Sequence, residues 1–291
     1  MKHIIPKLLT ISPVSTVCKV LYDMFTCLEY RFLCVKLWFN GYHKPTSDEA
    51  ERVVSQVTFI YKSFERQYMA KRLYHNIQKY YPGVRVIIAD DSSRPLKLMG
   101  KSLTVVQLPF NYGLSYGLNK ALEKVETPFT MRLDDDTLLT PSSNIHGQLS
   151  FLEKNPNVDL VAVQACSSPY LRASRETAKT YFRYDMKYVP KPLLIPHKTR
   201  LDDTHIVLGK VVNLFLVRTA QYKKLGYDDN IRMIDHHEFF MRAAGNIVSS
   251  MDINACVFHY HNPFDMHYQR FRCDFKRDLI YIQKKHKYIN Y

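Results

Sequence analysis

The sequence predicts an α/β fold: a mostly parallel central sheet flanked by helices, with helical extensions at the N- and C-termini. Between Gln56 and Ala165, short runs rich in β-branched and aromatic residues alternate with helical patterns. These runs are apolar on both faces, as strands covered by helices on both sides must be. Acidic residues also gather where the runs end, at Asp90-Asp91 and at Asp134 to Asp136. In open sheets of this kind ligands bind beyond the carboxyl ends of the strands.

Residues 1–50 are expected to form an amphipathic helical segment, residues 51–265 the main domain and residues 266–291 a basic helical tail. In the first segment Val17, Leu21, Met24, Leu28, Phe32 and Val35 recur at steps of three and four, one stripe of a helix. Either that stripe packs on the main domain, or it lies in the plane of a membrane with Trp38 and Phe39 near the interface. Lys19, Asp23, Glu29, Arg31 and Lys36 interrupt the run from Leu8 to Phe39. It therefore falls short of the ~20 uninterrupted apolar residues of a membrane span.

After the break at Pro45 to Asp48, "QVTFIY" (Gln56 to Tyr61) reads as a strand and Gln67 to Tyr80 as a helix closed by Pro82-Gly83. "VRVIIADDSS" is a second strand and "LTVVQLP" a third, leading through Asn111-Tyr112-Gly113 into a helix from Ser115 to Glu126. "PFTMRLDDD" gives a fourth strand and "VDLVAVQA" a fifth. From Cys166 to Thr204, Pro, Arg, Lys and Tyr dominate, which predicts an irregular excursion shaping an acceptor pocket. "KVVNLFLVRT" is a strand again, and "DHHEFFMRAAG" opens a helix with Asp235 in its first turn.

At 291 residues and 46% hydrophobic, the chain can bury a large core, which excludes disorder. Its six cysteines form neither a CxxC pair nor a dense framework, so they are expected to be reduced. A formal charge of +14 calls for an anionic partner: a phospholipid surface, a phosphorylated substrate or nucleic acid. The tail from Arg270 to Lys287 concentrates Arg272, Lys276, Arg277, Lys284, Lys285 and Lys287 among aromatic residues, either a solvated helical face or an anionic-lipid contact. Nucleic acid is disfavoured because no binding motif accompanies the charge.

Three adjacent carboxylates in "MRLDDDTLL" repel one another, and burying even one without a partner is costly. At a strand end, with a second acidic pair one strand away, they suit a hard cation such as Mg²⁺ or Mn²⁺ shared with a phosphate. "DHHEFF" places Asp235, His236, His237 and Glu238 at a helix start, a suitable position for a general base. In "CVFHYHN", His259 and His261 alternate on one face of a strand, and Mn²⁺ accepts imidazole.

Six ordered blocks, "VTFIYKSFERQ", "YYPGVRVIIADDS", "LPFNYGLSYGLNKAL", "TPFTMRLDDDTLLT", "VVNLFLVRT" and "HHEFF", together resemble GT-A glycosyltransferases of the family 2 type. Within these, they most resemble the β-1,4-N-acetylgalactosaminyltransferases represented by the GM2/GD2 ganglioside synthases. The resemblance runs from about Gln56 to His261. It implies a GT-A fold and an inverting transferase that uses Mn²⁺ or Mg²⁺ and takes a sugar from a UDP-sugar. It also implies that Phe64, Glu65, Asp90 and Asp91 contact the uracil and ribose, and that Gly113 and Ser115 form the turn near the nucleotide. Asp134 and Asp136 match the first and last acids of a DxD motif, Asp136 being the preferred direct metal ligand. Glu238 resembles the base that deprotonates the acceptor, with Asp235 its rival; His259 is the first candidate for a further metal ligand and His261 stays open.

Golgi members of that family carry a transmembrane anchor and lumenal disulfides, and this chain shows neither. The expectation is a cytoplasmic enzyme of surface polysaccharide or lipid-linked glycan synthesis, held at the inner face of a membrane by its basic ends. Its acceptor would be a glycan or a lipid-linked sugar. A transferase-fold scaffold without activity is the main alternative. A nucleotidyltransferase would need a Gly-rich phosphate loop after the first strand, and none stands there.

Overall fold

The computed structural model describes residues 12–169, 172–173, 191–271 and 275–286. Most of the centre of the irregular excursion, and Arg272, Cys273 and residues 287–291 of the tail, lie outside the described residues. Among the described residues ten strands form one sheet: β1 (Val57–Ser63), β2 (Arg85–Asp90), β3 (Leu103–Gln107), β4 (Phe129–Arg132), β5 (Thr137–Leu139), β6 (Leu160–Ser167), β7 (Arg172–Ala173), β8 (His205–Val207), β9 (Phe215–Arg218) and β10 (Ser249–His259). The central order is β3-β2-β1-β4-β9-β6-β10-β5, with β7 on β6 and β8 on β10.

The half β3-β2-β1-β4 is parallel throughout, as the two-sided apolar runs predict. Beyond it the sheet is mixed. β9 runs against both β4 and β6, and β5 runs against β10. β5 follows β4 by only a few residues yet pairs not with it but with β10, at the other end of the path.

Local signals explain the element ends. Thr46 and Glu49 form a reciprocal capping box that starts the helix Ser47–Gln56, which runs directly into β1. The helix Gln67–Tyr80 buries Met69, Ala70, Leu73 and Ile77 against the sheet and is followed by Gly83, whose φ of +86° suits the reversal into β2. On β1 every residue except Lys62 is buried. Phe215, Phe239 and Phe240 pack as a fully buried aromatic group under β9.

The N-terminal helix spans Ser12–Phe39. Packing of its apolar stripe on the main domain, one of the two expectations, does not occur: Val17, Leu21, Met24, Leu28, Phe32 and Val35 face outward. The helix attaches through its other face, where Thr26, Glu29 and Leu33 are buried and polar side chains find partners on β5 and in the segment after β10. Among the described residues no helix is long and apolar enough to cross a membrane. Of the cysteines, Cys18, Cys27, Cys34, Cys166 and Cys256 form no disulfide.

Parallel pairing aligns the acidic strand ends on one rim. Ser63 of β1 pairs with Asp90 of β2, and Ile60 pairs with Arg132, the last residue of β4. The rim is completed from the far end of the chain, because β10 pairs His259 with Thr137 of β5 and the Tyr260 amide donates to the Asp136 carbonyl at 2.9 Å.

Candidate active site

Past Arg132 the chain turns. The Thr137 amide and hydroxyl both donate to the Asp134 carbonyl, at 3.2 and 2.7 Å, folding the three aspartates into a tight loop between β4 and β5. Leu133 drops into the core, and the acids line a cleft of about 440 Å³. Its wall also includes Lys62, Phe64, Arg66, Gly113, Arg232, Asp235, His236, His259, His261, Tyr268 and Phe271.

The like charges are reconciled by two buried arginines. Arg66 pairs with Asp135 and places Nη1 3.1 Å from Asp136 Oδ2, while its guanidinium lies 3.9 Å over the Tyr268 ring. Arg132, fully buried, places Nη1 2.8 Å from Asp134 Oδ1 and Nη2 3.8 Å from Asp235 Oδ2. Burial works against ionising Asp136, but Arg66 and the two histidines outweigh it and hold its carboxyl well below the usual range. Burial, only partly offset by Arg66 and reinforced by Asp136 and Asp134, pushes Asp135 the other way. The inner acid of the loop is thus the one that gives way to its neighbours.

Register brings imidazoles to the same carboxylate. His259 Nε2 lies 3.7 Å from Asp136 Oδ1, and His261 Nδ1 3.8 Å from Asp136 Oδ2. One carboxylate and two imidazoles on an open cleft match the mixed oxygen and nitrogen set that Mn²⁺ accepts, with positions left for phosphate oxygens. Among the described residues no group of three or more His, Cys, Asp or Glu side chains is drawn together closely enough to hold a metal ion. In donor type alone, the residues fit a cation shared with a bound diphosphate.

Asp235 begins the helix Asp235–Ala243 across the cleft. Its Oδ2 has no hydrogen-bond partner, and burial pushes its carboxyl up to about 7 despite Arg132 nearby. A buried carboxylate that titrates near neutrality and faces a cleft has the properties of a general base. Glu238, one turn on, does not line the cleft. It is held by Arg242 at 2.7 Å and Lys285 at 2.7 Å, and these partners, outweighing burial, keep it below the ordinary glutamate range. Glu238, expected as the base, is turned by its helical phase away from the acids, toward the helix Phe275–His286.

The expected nucleotide contacts divide. Phe64 and Gly113 line the cleft. Phe64 sits in an aromatic group with Phe110, Tyr268 and Phe271 at centroid distances of 5.8, 6.5 and 5.1 Å, a surface on which a flat base can stack. Glu65, Asp90, Asp91 and Ser115 do not line it. Asp90 instead accepts from the Ser92 hydroxyl at 2.6 Å and the Leu96 amide at 2.7 Å, fixing the loop after β2. Asp91 pairs with Lys62 and accepts from the Gly113 amide at 3.1 Å, so it positions two cleft residues from behind. Glu65 is tied to His267 and to the Ser93 amide. Ser115 is buried beneath the turn.

Sequence reasoning missed Lys62, Arg66, Arg132 and Arg232. Arg132 carried a signal, since a cation inside an apolar strand and beside three acids must be answering them. Tyr268 and Phe271 carried none, because only the folding back of the C-terminal segment puts them at the cleft.

Residues 57–208 match the sequence profile of glycosyl transferase family 2. The chain is 30% identical over 200 residues to beta-1,4 N-acetylgalactosaminyltransferase 2 of Mus musculus, covering 68% of this chain and 38% of that protein. It is 29% identical over 203 residues to beta-1,4 N-acetylgalactosaminyltransferase 1 of Homo sapiens, covering 66% and 36%. The chain thus spans less than two fifths of the length of these relatives. Among solved structures, that of S. aureus TarS 1-349 superposes with a TM-score of 0.53 at 16% identity, over 70% of this chain and 60% of that one. GalNAc-T7 with UDP, GalNAc and Mn²⁺ superposes with a TM-score of 0.54 at 12% identity, over 80% and 55%. The sheet order is that of a GT-A fold, and with the profile matched over more than half its length this chain belongs to glycosyl transferase family 2.

Proposed function

We propose that this protein is an inverting, metal-dependent glycosyltransferase. It moves N-acetylgalactosamine or a related hexose from a UDP-sugar to a hydroxyl of a glycan or lipid-linked acceptor, on the cytoplasmic side of a membrane, in surface polysaccharide or glycoconjugate synthesis. The observation that carries this reading is the placement of Asp136, with His259 and His261 near it, in the same cleft as Asp235, whose Oδ2 accepts no hydrogen bond. Solved TarS complexes with UDP-GlcNAc and with UDP, and GalNAc-T7 with UDP, GalNAc and Mn²⁺, support a UDP-sugar donor and a divalent ion.

In this reading Phe64 and Phe271 stack the base, and Lys62 and Arg232 attract the diphosphate. Asp136, His259 and His261 would hold Mn²⁺ or Mg²⁺, with Asp134 beside them; the bound ion supplies charge neutralisation for the departing diphosphate. Asp235 takes the proton from the acceptor hydroxyl as that oxygen attacks the anomeric carbon from the face opposite the leaving group, which inverts the centre. Arg132 steadies both sides, since it contacts Asp134 and reaches toward Asp235. The rest is positioning.

A screen of UDP-sugars for Mn²⁺-dependent hydrolysis and thermal stabilisation tests this without an acceptor. Stabilisation by UDP with Mn²⁺, and release of UDP from one sugar donor, are expected. Absence of both overturns the proposal.

A further inference from the structure

The N-terminal helix presents outward the face that a helix of a globular protein normally buries. Val17, Leu21, Met24, Leu28, Phe32 and Val35 are each between 53% and 63% exposed. The opposite face holds the helix in place: Lys19 pairs with Asp265 at 2.7 Å, Asn262 donates to Asp23 at 2.8 Å, and the Tyr30 hydroxyl donates to the Leu139 carbonyl at 2.8 Å. At 3.6 residues per turn these six cover an arc of roughly 80°, widened to roughly 140° by the exposed Val14, Val20, Phe25, Trp38 and Phe39. With 28 residues, the helix is about 42 Å long.

Charge decides what covers this face. The helix has two acids, and both turn inward: Asp23 to Asn262, and Glu29, buried, to Ser168. Its exposed cations, Arg31 and Lys36, fall along opposite edges of the apolar arc. Trp38 and Tyr42, both exposed, close its C-terminal end. An apolar strip bordered by cations, ended by amphipathic aromatics and free of outward acid matches the headgroup boundary of an anionic bilayer. The formal charge of +14 strengthens that match. A second copy would bring the same cations to the contact and repel them.

We infer that the helix Ser12–Phe39 lies in the plane of an anionic membrane surface, with the strip from Val17 to Val35 in the lipid and Arg31 and Lys36 among the headgroups. Its inner face is bonded to Asn262 and Asp265, just beyond His261, so the cleft is held beside the surface. Delivery of a lipid-linked acceptor to that cleft rests on the proposed function; the membrane contact itself does not.

Trp38 is the only tryptophan, so its emission reports on this helix alone. Adding vesicles rich in phosphatidylglycerol to the full chain should shift the emission to the blue and float the protein. Binding to pure phosphatidylcholine vesicles, or in high salt, should be weaker by about tenfold or more. The pair Leu28→Glu and Phe32→Glu should abolish flotation while leaving UDP-dependent thermal stabilisation unchanged. The pair Arg31→Glu and Lys36→Glu should remove the preference for anionic lipid. The inference is overturned if phosphatidylglycerol vesicles leave Trp38 emission and flotation unchanged, or if flotation survives both pairs. It is equally overturned if the chain self-associates without binding vesicles and Leu28→Glu disperses it, which would assign the face to a second copy. Vesicle binding by a chain that turns over no UDP-sugar would leave this inference standing and remove the proposed function.

Discussion

Arg66 Nη1 stands 3.1 Å from Asp136 Oδ2, so the carboxylate best placed to bind a cation already has a positive partner. The same guanidinium pairs with Asp135. In the proposed function, Asp136 would offer an ion an ionised carboxylate that it shares with Arg66.

Asp136→Asn keeps the shape and removes the charge. Transfer should fall by about 100-fold or more, and Mn²⁺-dependent stabilisation by UDP should disappear with it. Folding should weaken by about 1–3 kcal/mol, because Arg66 keeps only Asp135. Steady-state kinetics and thermal melts check both; full activity would remove Asp136 from the metal site.

For Asp235, activity and stability depend on pH with opposite signs. Its carboxyl is raised to about 7, and a base works deprotonated, so kcat/KM should rise as pH increases through about 7. A folded value above the unfolded one favours folding only at low pH, and that advantage is lost between about 4 and 7. Asp235→Asn should therefore lower kcat by about 10²–10⁴-fold, spare UDP binding, and raise Tm at pH 8 by a few degrees with no gain near pH 4. A flat pH profile in the wild type would dismiss Asp235 as the base.

Glu238→Gln should leave kcat within about threefold of wild type, since the side chain does not line the cleft. It should cost about 1–3 kcal/mol in chemical denaturation by weakening the buried contacts to Arg242 and Lys285. A variant that folds normally and is inactive would return the role of base to Glu238.

Gly113→Ala tests the turn behind the cleft. The residue has φ of +116°, and an added Cβ would lie 3.1 Å from Arg232 Cγ and 3.2 Å from Arg232 Cα. Backbone strain and this clash should cost about 1–3 kcal/mol and raise KM for the UDP-sugar more than they lower kcat. Unchanged melting and kinetics would show that the turn tolerates a side chain.

The parallel half of the sheet was legible because β1, β2 and β4 carry largely apolar runs, and those of β2 and β4 lead into acid at the carboxyl end. β9 and β5 were less so, since a three- or four-residue strand shows no period from which to infer its neighbour. Asp134, Asp136, His259 and His261 could be picked out because carboxylates and imidazoles at strand ends need a chemical reason to be there. Whether Asp235 or Glu238 faces the cleft could not, because three residues on a helix differ by less than a turn and only tertiary packing sets the phase. The N-terminal stripe lies along one face of the helix Ser12–Phe39, yet periodicity alone cannot say which face a helix turns outward.

The pairing of His259 with Thr137, and of Tyr260 with Asp136, has a consequence for biosynthesis. The aspartate loop leaves the ribosome more than a hundred residues ahead of the histidines that complete it. A nascent chain that has emerged only through β6 holds the acids without their imidazoles. If the histidines serve as proposed, competence would arrive only when β10 emerges and pairs with β5 and β6, however well the first half has folded.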